Sequence, residues 1–550
     1  MNNSRRYPDS GVVRVQVLLP PRYPGAGVSL PLGDTRHMED DKGVDDAPGG
    51  GEGTGSGGSR KHIVIGRLAC YNAVAAEYFG EVRNMRKMVF ALCFGNRGFM
   101  PGELILSARE EMVKAVTGLG YDYIMMDEKA TRYGAVETRD EGLKYAKWLK
   151  EHEGQYDGVI FCMPIFVDEN GAVNALQDAG VPILMQAYPD EIGKMGFKYR
   201  RDAYCGKFSV TDVFSQYKVP FTVLKPHVVH PLTPEFSRNL KDFAAICRVV
   251  NGMKRFNLGC IGARTTAFKT VRFDEITLQK YGINVESFDL SELIMKVKEM
   301  GDLAPGVEEK LAKLRDYADF TGVPEENTRT LAKVGVVVDE YIRDYHLDAI
   351  ALRCWNEMET YLRVSPCVLL GALNDMGIAA SCEIDVCSAV TMRAMHLASE
   401  EPATVLDWNN NYGQDEDKVV LFHCGPVARG LMKGKGTVTE HKMFAKNDPG
   451  SGWGTNEGRI AAFPMTYSNC KTEDGKLTVY VSEGEMTDDP IEDGYFGCAG
   501  VAEIDDLQDK LIKLARGGFK HHTSVGKGHM QAVLHEAFTT YLGYDLVEIG

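Results

Sequence analysis

No stretch of the sequence runs for the ~20 consecutive apolar residues that a membrane-crossing helix requires, so a bilayer span is excluded and a water-soluble protein is expected. There is no surplus of positive charge either: 77 acidic side chains stand against 62 basic ones, a net charge of −15, which argues against a general nucleic-acid surface. Phosphate-cradling loops are missing. Neither GLMKGKGT (430–437) nor SVGKGHM (524–530) has the spacing of a P-loop, and no GxGxxG follows a strand. The absence of HExxH, of paired CxxC motifs and of GxSxG removes zinc-peptidase, zinc-ribbon and α/β-hydrolase readings. Disorder as a whole-chain description fails on a composition of 44% hydrophobic and 25% charged residues.

Thirteen cysteines are present, an odd number, set singly inside apolar stretches such as GVIFCMPIF (158–166) and LGCIGAR (258–264). That pattern reads as buried free thiols in a reducing compartment, hence a cytoplasmic protein, rather than a disulfide framework. Cys382 and Cys387 are close in sequence, but without a second pair they read as core residues and not as a zinc site.

A chain of 550 residues exceeds what one core organises, so two or three domains are expected. Residues 1–87 hold 12 basic and 10 acidic side chains, leaving 50 and 67 in residues 88–550, a net −17 on that body. The first region contains the Gly/Ser tract DDAPGGGEGTGSGGSR (45–60) and the acidic cluster MEDDKGVDD, which fit neither a signal nor a transit peptide. It is expected to be a disordered or non-native extension, with Met88 as the working start. From there apolar strands alternate with amphipathic helices: MVFALCF, YDYIMMD, DGVIFCMPIF and VPILMQA predict a first α/β domain over 88–233. After a polar linking helix at about 234–251, FNLGCIGAR, INVESFD, DAIALRCW and GIAASCEIDV predict a second over 234–403. Beyond it, KVVLFHCG, GTVTEHKMF, RIAAFPMTY and KLTVYVSEGEM follow one another without helices, predicting a β-rich, barrel-like domain over 404–550 with closing helices around FKHHTSVGKGH. The expected class is thus α/β, two doubly wound parallel sheets and a C-terminal β domain.

Acids at the ends of apolar strands carry the functional signal. ALRCWNEME (351–359) delivers Glu357, or less favourably Glu359, past one strand, and AASCEIDVCSAVTM (379–392) delivers Glu383 and Asp385 before a helix. A lone acid there is an N-cap. Two such strand ends together with His521 and His522 point instead to a divalent ion that prefers oxygen, Mn²⁺ or Mg²⁺. In DWNNNYGQDEDKVVLFHCGP (407–426), Asp407, Asn409 and Asn410 suit hydroxyl recognition or an ordinary loop, and His423 reads as a hydrogen-bonded core histidine or a site residue. Trp355 and Trp453 suit the floor of a sugar pocket or core packing.

CWNExxxxxxxxPC (354–367), LNDMGIAASCEIDVCSAVTM (373–392), DWNNNYG with FHCG (407–425) and HHTSVGKGH resemble, in order and spacing, the L-fucose isomerase-like family of aldose–ketose isomerases; FGNRG (94–98), FVDENGAV (166–173) and GARTTAF (262–268) extend the likeness. The resemblance covers nearly everything after Met88. It implies a metal, usually Mn²⁺, on two acids and one histidine, placed here on Glu357, Asp385 and His522, with Glu383 and His521 as competing ligands. It also implies a homo-oligomer, a trimer or hexamer with sites shared between subunits, in which Arg97 reaches a substrate hydroxyl or anion next door. Cys387 and Ser388 stand where a larger residue and glycine are usual, which bears on the sugar preferred.

The activity so implied is interconversion of an open-chain aldose and ketose through a cis-enediol, with Glu357 and Asp385 exchanging the proton between C1 and C2 and the metal polarising the sugar oxygens. Substrate-binding expectations fall on Arg97, Trp355, Asn410, His423 and Trp453. An L-fucose-like or arabinose-like sugar is the main reading. An anionic sugar such as sulfoquinovose, a non-catalytic sugar-binding protein, and a metal-dependent lyase or epimerase are the alternatives.

Overall fold

The structure is a computed structural model and describes residues 87–196 and 199–550. The N-terminal extension expected over 1–87 therefore lies, but for Lys87, outside the described residues. No helix among the described residues is long and apolar enough to cross a membrane.

The first parallel sheet contains β1 (Val89–Phe94), β2 (Asp122–Met125), β3 (Gly158–Met163) and β4 (Ile183–Ala187), in the order β2-β1-β3-β4. β3 and β4 are buried at every position and β1 at all but its first, because helices cover both faces, which is why these strands read as continuous apolar runs instead of alternating ones. The helix Pro234–Met253 then leads on, with Thr233 as N-cap and proline in its first turn. It is not the polar linker its composition suggests. Phe236, Leu240, Phe243 and Cys247 pack into the first core while Ile246, Val249, Val250 and Met253 pack into the next, so one amphipathic helix serves two cores.

The second parallel sheet repeats the plan with β5 (Phe256–Ile261), β6 (Ile283–Phe288), β7 (Ala349–Leu352) and β8 (Ala379–Cys382), ordered β6-β5-β7-β8. Both sheets reverse direction of growth after their first strand, which opens a crevice at the strands' carboxyl ends. Three chain segments leave that edge side by side, since Ile261 pairs with Leu352 and Leu352 with Cys382. Gly262, at φ +97°, lets the first of them turn tightly past Arg353, whose Cβ a side chain at 262 would meet at 3.0 Å.

The last region forms a nine-stranded sheet from β9 (Ala403–Tyr412), β10 (Asp415–His423), β11 (Thr437–Glu440), β12 (Trp453–Arg459), β13 (Phe463–Glu473), β14 (Lys476–Met486), β15 (Cys498–Glu503), β16 (His522–Lys527) and β17 (Asp545–Leu546). Pairing of β15 with β14 closes the strands β15-β10-β9-β16-β13-β14 into a six-stranded barrel. The overall class is α/β with a C-terminal barrel. Two local readings are corrected. DWNNNY is the second half of strand β9 rather than a loop, and His522 opens β16, an interior barrel strand hydrogen-bonded on both sides, with His521 just before it. Polar residues at these positions hide the strands from a hydrophobic pattern: Asn409, Asn410 and Asn411 of β9 are exposed, and Thr523 and Ser524 of β16 are buried through side-chain hydrogen bonds to Tyr480 and Thr391.

Candidate active site

Barrel register brings the chemistry together. His522 on β16 lies opposite Asp407 on β9, and Asp407 lies opposite Phe422 on β10, one residue before His423. The turn after β8 adds the acids from the second sheet. Glu383 and Ile384 both sit at φ +62°, a left-handed conformation that non-glycine residues rarely adopt. This sharp turn aims Glu383 at the barrel and sets Asp385 at the N-cap of the helix Val386–Ser399.

Asp385 is fully buried and its two oxygens receive four donors. Oδ1 accepts from Ser388 N (3.0 Å) and Lys520 Nζ (2.6 Å), and Oδ2 accepts from Ser388 Oγ (2.6 Å) and His522 Nδ1 (2.7 Å). Burial alone would raise its pKa, but the Lys520 ammonium and the His522 hydrogen bond outweigh it and hold the carboxyl well below the usual range. Asp385, expected as a ligand, is hydrogen-bonded here to Ser388, Lys520 and His522, and the last of these bonds orients the imidazole.

The two buried histidines have opposite tautomers. His522 donates Nδ1–H to Asp385, so in the neutral ring its Nε2 carries the lone pair. His423 accepts the backbone N–H of Cys424 at Nδ1 (3.0 Å), so its Nε2 carries the proton. Both Nε2 atoms and Asp407 Oδ1 are buried without a hydrogen-bond partner. His522 Nε2 stands 3.2 Å from Glu383 Oε2 and 3.4 Å from Asp407 Oδ1, and His521 Nε2 stands 3.7 Å from the same Asp407 oxygen. Within each of the sets Glu383, His423, His522 and Asp407, His521, His522, the ligand atoms lie within 4.8 Å of one another. Two carboxylates facing one imidazole lone pair, with buried orphan atoms, suit a divalent cation. Burial disfavours a charged His522, yet the hydrogen bonds and charges of Asp385 and Glu383 prevail and push it up to about 9, a proton that a cation would displace. Burial raises the Asp407 carboxyl above its ordinary value.

The other expected residues lie around or apart from this cluster. Glu357 opens the short helix Glu357–Tyr361, takes Arg353 Nη2 at 2.7 Å on Oε1 and leaves Oε2 buried without a partner; it belongs to neither set of ligand atoms. His521 is partly exposed. Phe268 of GARTTAF, unassigned by sequence reasoning, places its ring 5.8 Å from His522, 5.4 Å from His521 and 5.5 Å from Trp355, walling one side of the cluster. Trp355 continues that wall towards Phe444. Asn410, with Asn409, accepts the Tyr495 hydroxyl proton (2.9 Å to Asn410). Trp453 begins β12 and is tied by backbone bonds to Arg363 and Ser365. Arg97 follows β1, donates to Val167 O and pairs with Glu169 at 2.5 Å, so its contacts stay within the first sheet's edge. Glu359, the less favoured of the two acids after β7, is buried, accepts from Ser365 Oγ at 3.0 Å, and is pushed by burial to about 7.

Two family matches, to the N-terminal and C-terminal domains of fucose-type isomerases, place the chain in the L-fucose isomerase-like family, and it is an aldose–ketose isomerase. Residues 91–254 match the fucose/sulfoquinovose isomerase N-terminal domain and residues 421–550 the L-fucose isomerase C-terminal domain. Among its relatives, a sulfoquinovose isomerase of Priestia aryabhattai is 21% identical over 381 residues, 68% of this chain and 81% of that protein. One of Alkalicoccus urumqiensis is 22% identical over 291 residues, 52% of this chain and 63% of its own. A third, of Clostridium sp. (strain MSTE9), is 27% identical over 165 residues, 29% and 35% of the two chains.

Proposed function

We propose that the isomerase uses one divalent cation, Mn²⁺ by preference and Mg²⁺ as the substitute, held by His522 Nε2, which the two sets of ligand atoms share, and by the carboxylate nearest to it in each set, Glu383 and Asp407, on an open-chain aldose that reaches its ketose through a cis-enediol. The observation that supports this best is the His522–Asp385 hydrogen bond, which turns the free lone pair of His522 towards two carboxylates. Bound there, the cation supplies Lewis acidity to the oxygens on C1 and C2.

The chain's own groups then divide the work. Asp407 and Glu383, the two carboxylates that face His522 Nε2, exchange the proton between C1 and C2. His423 donates its Nε2–H to the oxygen on which charge develops. Phe268 and Trp355 exclude water from that face. Asp385 and Lys520 orient His522, and Glu357 with Arg353 lines the rim.

For the substrate, the names of the relatives favour the anionic reading, a 6-deoxyhexose bearing a sulfonate such as sulfoquinovose, over L-fucose or an arabinose. The homo-oligomer, trimer or hexamer, remains part of the proposal because Arg97 makes its contacts away from this cluster and suits a neighbouring subunit's sugar. Assay of L-fucose, D-arabinose, L-arabinose and sulfoquinovose with Mn²⁺, following deuterium uptake at C2, tests the reading: turnover of sulfoquinovose at least tenfold above the neutral sugars is expected, and turnover of none of them defeats it.

A further inference from the structure

Directly behind the site, the sulfurs of two cysteines lie 3.6 Å apart: Cys367, first residue of the helix Cys367–Asp375, and Cys424, which follows His423. A second pair, Cys354 and Cys382, lies 3.6 Å apart at the ends of β7 and β8. None of the four has a role in the chemistry above, and all are free thiols. We propose that Cys367 and Cys424 are a site of oxidative modification, closing to a disulfide that lowers isomerase activity through His423; the effect on activity rests on the role given to His423, whereas the cross-link itself does not.

Two observations single out this pair. Cys424 is the most exposed of the four, at 6% against 2% or less, and stands next to a site histidine. Its Sγ also lies 3.3 Å from His423 Nδ1, the nitrogen that fixes which side of the imidazole carries the proton. A disulfide needs the sulfurs at about 2.05 Å, so the pair must close by about 1.5 Å, and movement of Cys424 changes its contact with that nitrogen. The oxidant class is a peroxide. The Cys424 sulfur attacks one peroxide oxygen, an S–O bond forms as the O–O bond breaks, and one water leaves. The Cys367 sulfur then attacks the sulfenic acid, the S–S bond forms, the S–O bond breaks, and a second water leaves. Two thiols lose two electrons and hydrogen peroxide becomes two waters. In a reducing compartment the pair rests as thiols and reopens by thiol exchange.

The test treats the Mn²⁺-loaded enzyme with hydrogen peroxide, digests it under non-reducing conditions and maps cross-linked peptides, with activity read before and after dithiothreitol. Expected are a Cys367–Cys424 peptide, a loss of at least fivefold in kcat, and recovery on reduction. Cys367→Ala keeps its basal activity and loses the reversible component. Absence of the cross-linked peptide from oxidised wild type overturns the site, and so does a reversible loss of the same size in Cys367→Ala. A cross-link that leaves kcat unchanged overturns the coupling to His423.

Discussion

His522 Nδ1 and Asp385 Oδ2 meet at 2.7 Å in full burial, and that one hydrogen bond decides what the other nitrogen of the ring does. It locks the tautomer, points Nε2 at Glu383 and Asp407, and draws on a carboxylate whose remaining acceptor capacity is taken by Ser388 and Lys520. The sequence resemblance puts a metal on Asp385; the proposal instead has that residue orient His522.

Asp385→Asn should weaken Mn²⁺ binding by about 10- to 100-fold, the usual cost of removing a partner behind a ligating histidine. It also strands the buried Lys520 ammonium, so stability should fall by about 3 to 5 kcal/mol. Titration calorimetry and denaturant unfolding separate the two effects. Adding Lys520→Met should restore most of the stability and none of the affinity; equal recovery of both would contradict an orienting role.

Glu383→Gln and Asp407→Asn should each lower turnover by about three orders of magnitude or more, because each loses a metal ligand and a proton-transfer group together. Glu357→Gln should keep Mn²⁺ affinity within about twofold. A loss of metal binding in the Glu357 variant, with Asp407→Asn unaffected, would return the ligand set to the one the resemblance implies.

His423→Phe removes the Nε2–H donor while leaving the imidazole of His522 in place. A fall of about 10²- to 10³-fold in kcat with unchanged metal affinity is expected, the size seen for loss of one donor to a developing oxyanion. Calorimetry showing weaker Mn²⁺ binding instead would make His423 a ligand.

Glu359 ties stability to pH. Its carboxyl is raised by burial to about 7 in the fold, against about 4.3 in an unfolded chain. Between those values the folded protein retains a proton that the unfolded chain releases, so this group's contribution is complete below about pH 4.3 and is lost as pH rises through about 7, a change of about 4 kcal/mol. Glu359→Gln cannot titrate. Unfolding free energies measured at pH 5 and pH 8 should therefore move in favour of the variant as pH rises; an unchanged difference would place the ionisation elsewhere.

Much of the architecture was legible in the sequence, because buried parallel strands are uninterrupted apolar runs and the helices between them are amphipathic. VFALCF and GVIFCM declare themselves this way. The last region was legible as β-rich, but the two strands that carry the site were not, since β9 ends in DWNNNY and β16 begins with HTSVGK, where polar side chains replace the alternation that betrays a strand. For the same reason the pattern leaves Asp407 between hydroxyl recognition and an ordinary loop. The acidic turn after β8 is legible, yet the proposed preference for Glu383 over Asp385 rests on two consecutive left-handed residues and on Lys520, 135 positions away, neither of which a local pattern contains. His522 over His521 follows from strand alternation once β16 is recognised: one side chain faces inwards and its neighbour outwards.

The most direct measurement is anomalous scattering at the manganese edge from crystals of the Mn²⁺-loaded enzyme. The proposal predicts one strong peak at about 2.2 Å from Glu383, Asp407 and His522 Nε2, with Asp385 still bonded to His522 Nδ1. A peak coordinated by Glu357 and Asp385, or no peak at the barrel mouth, would contradict it.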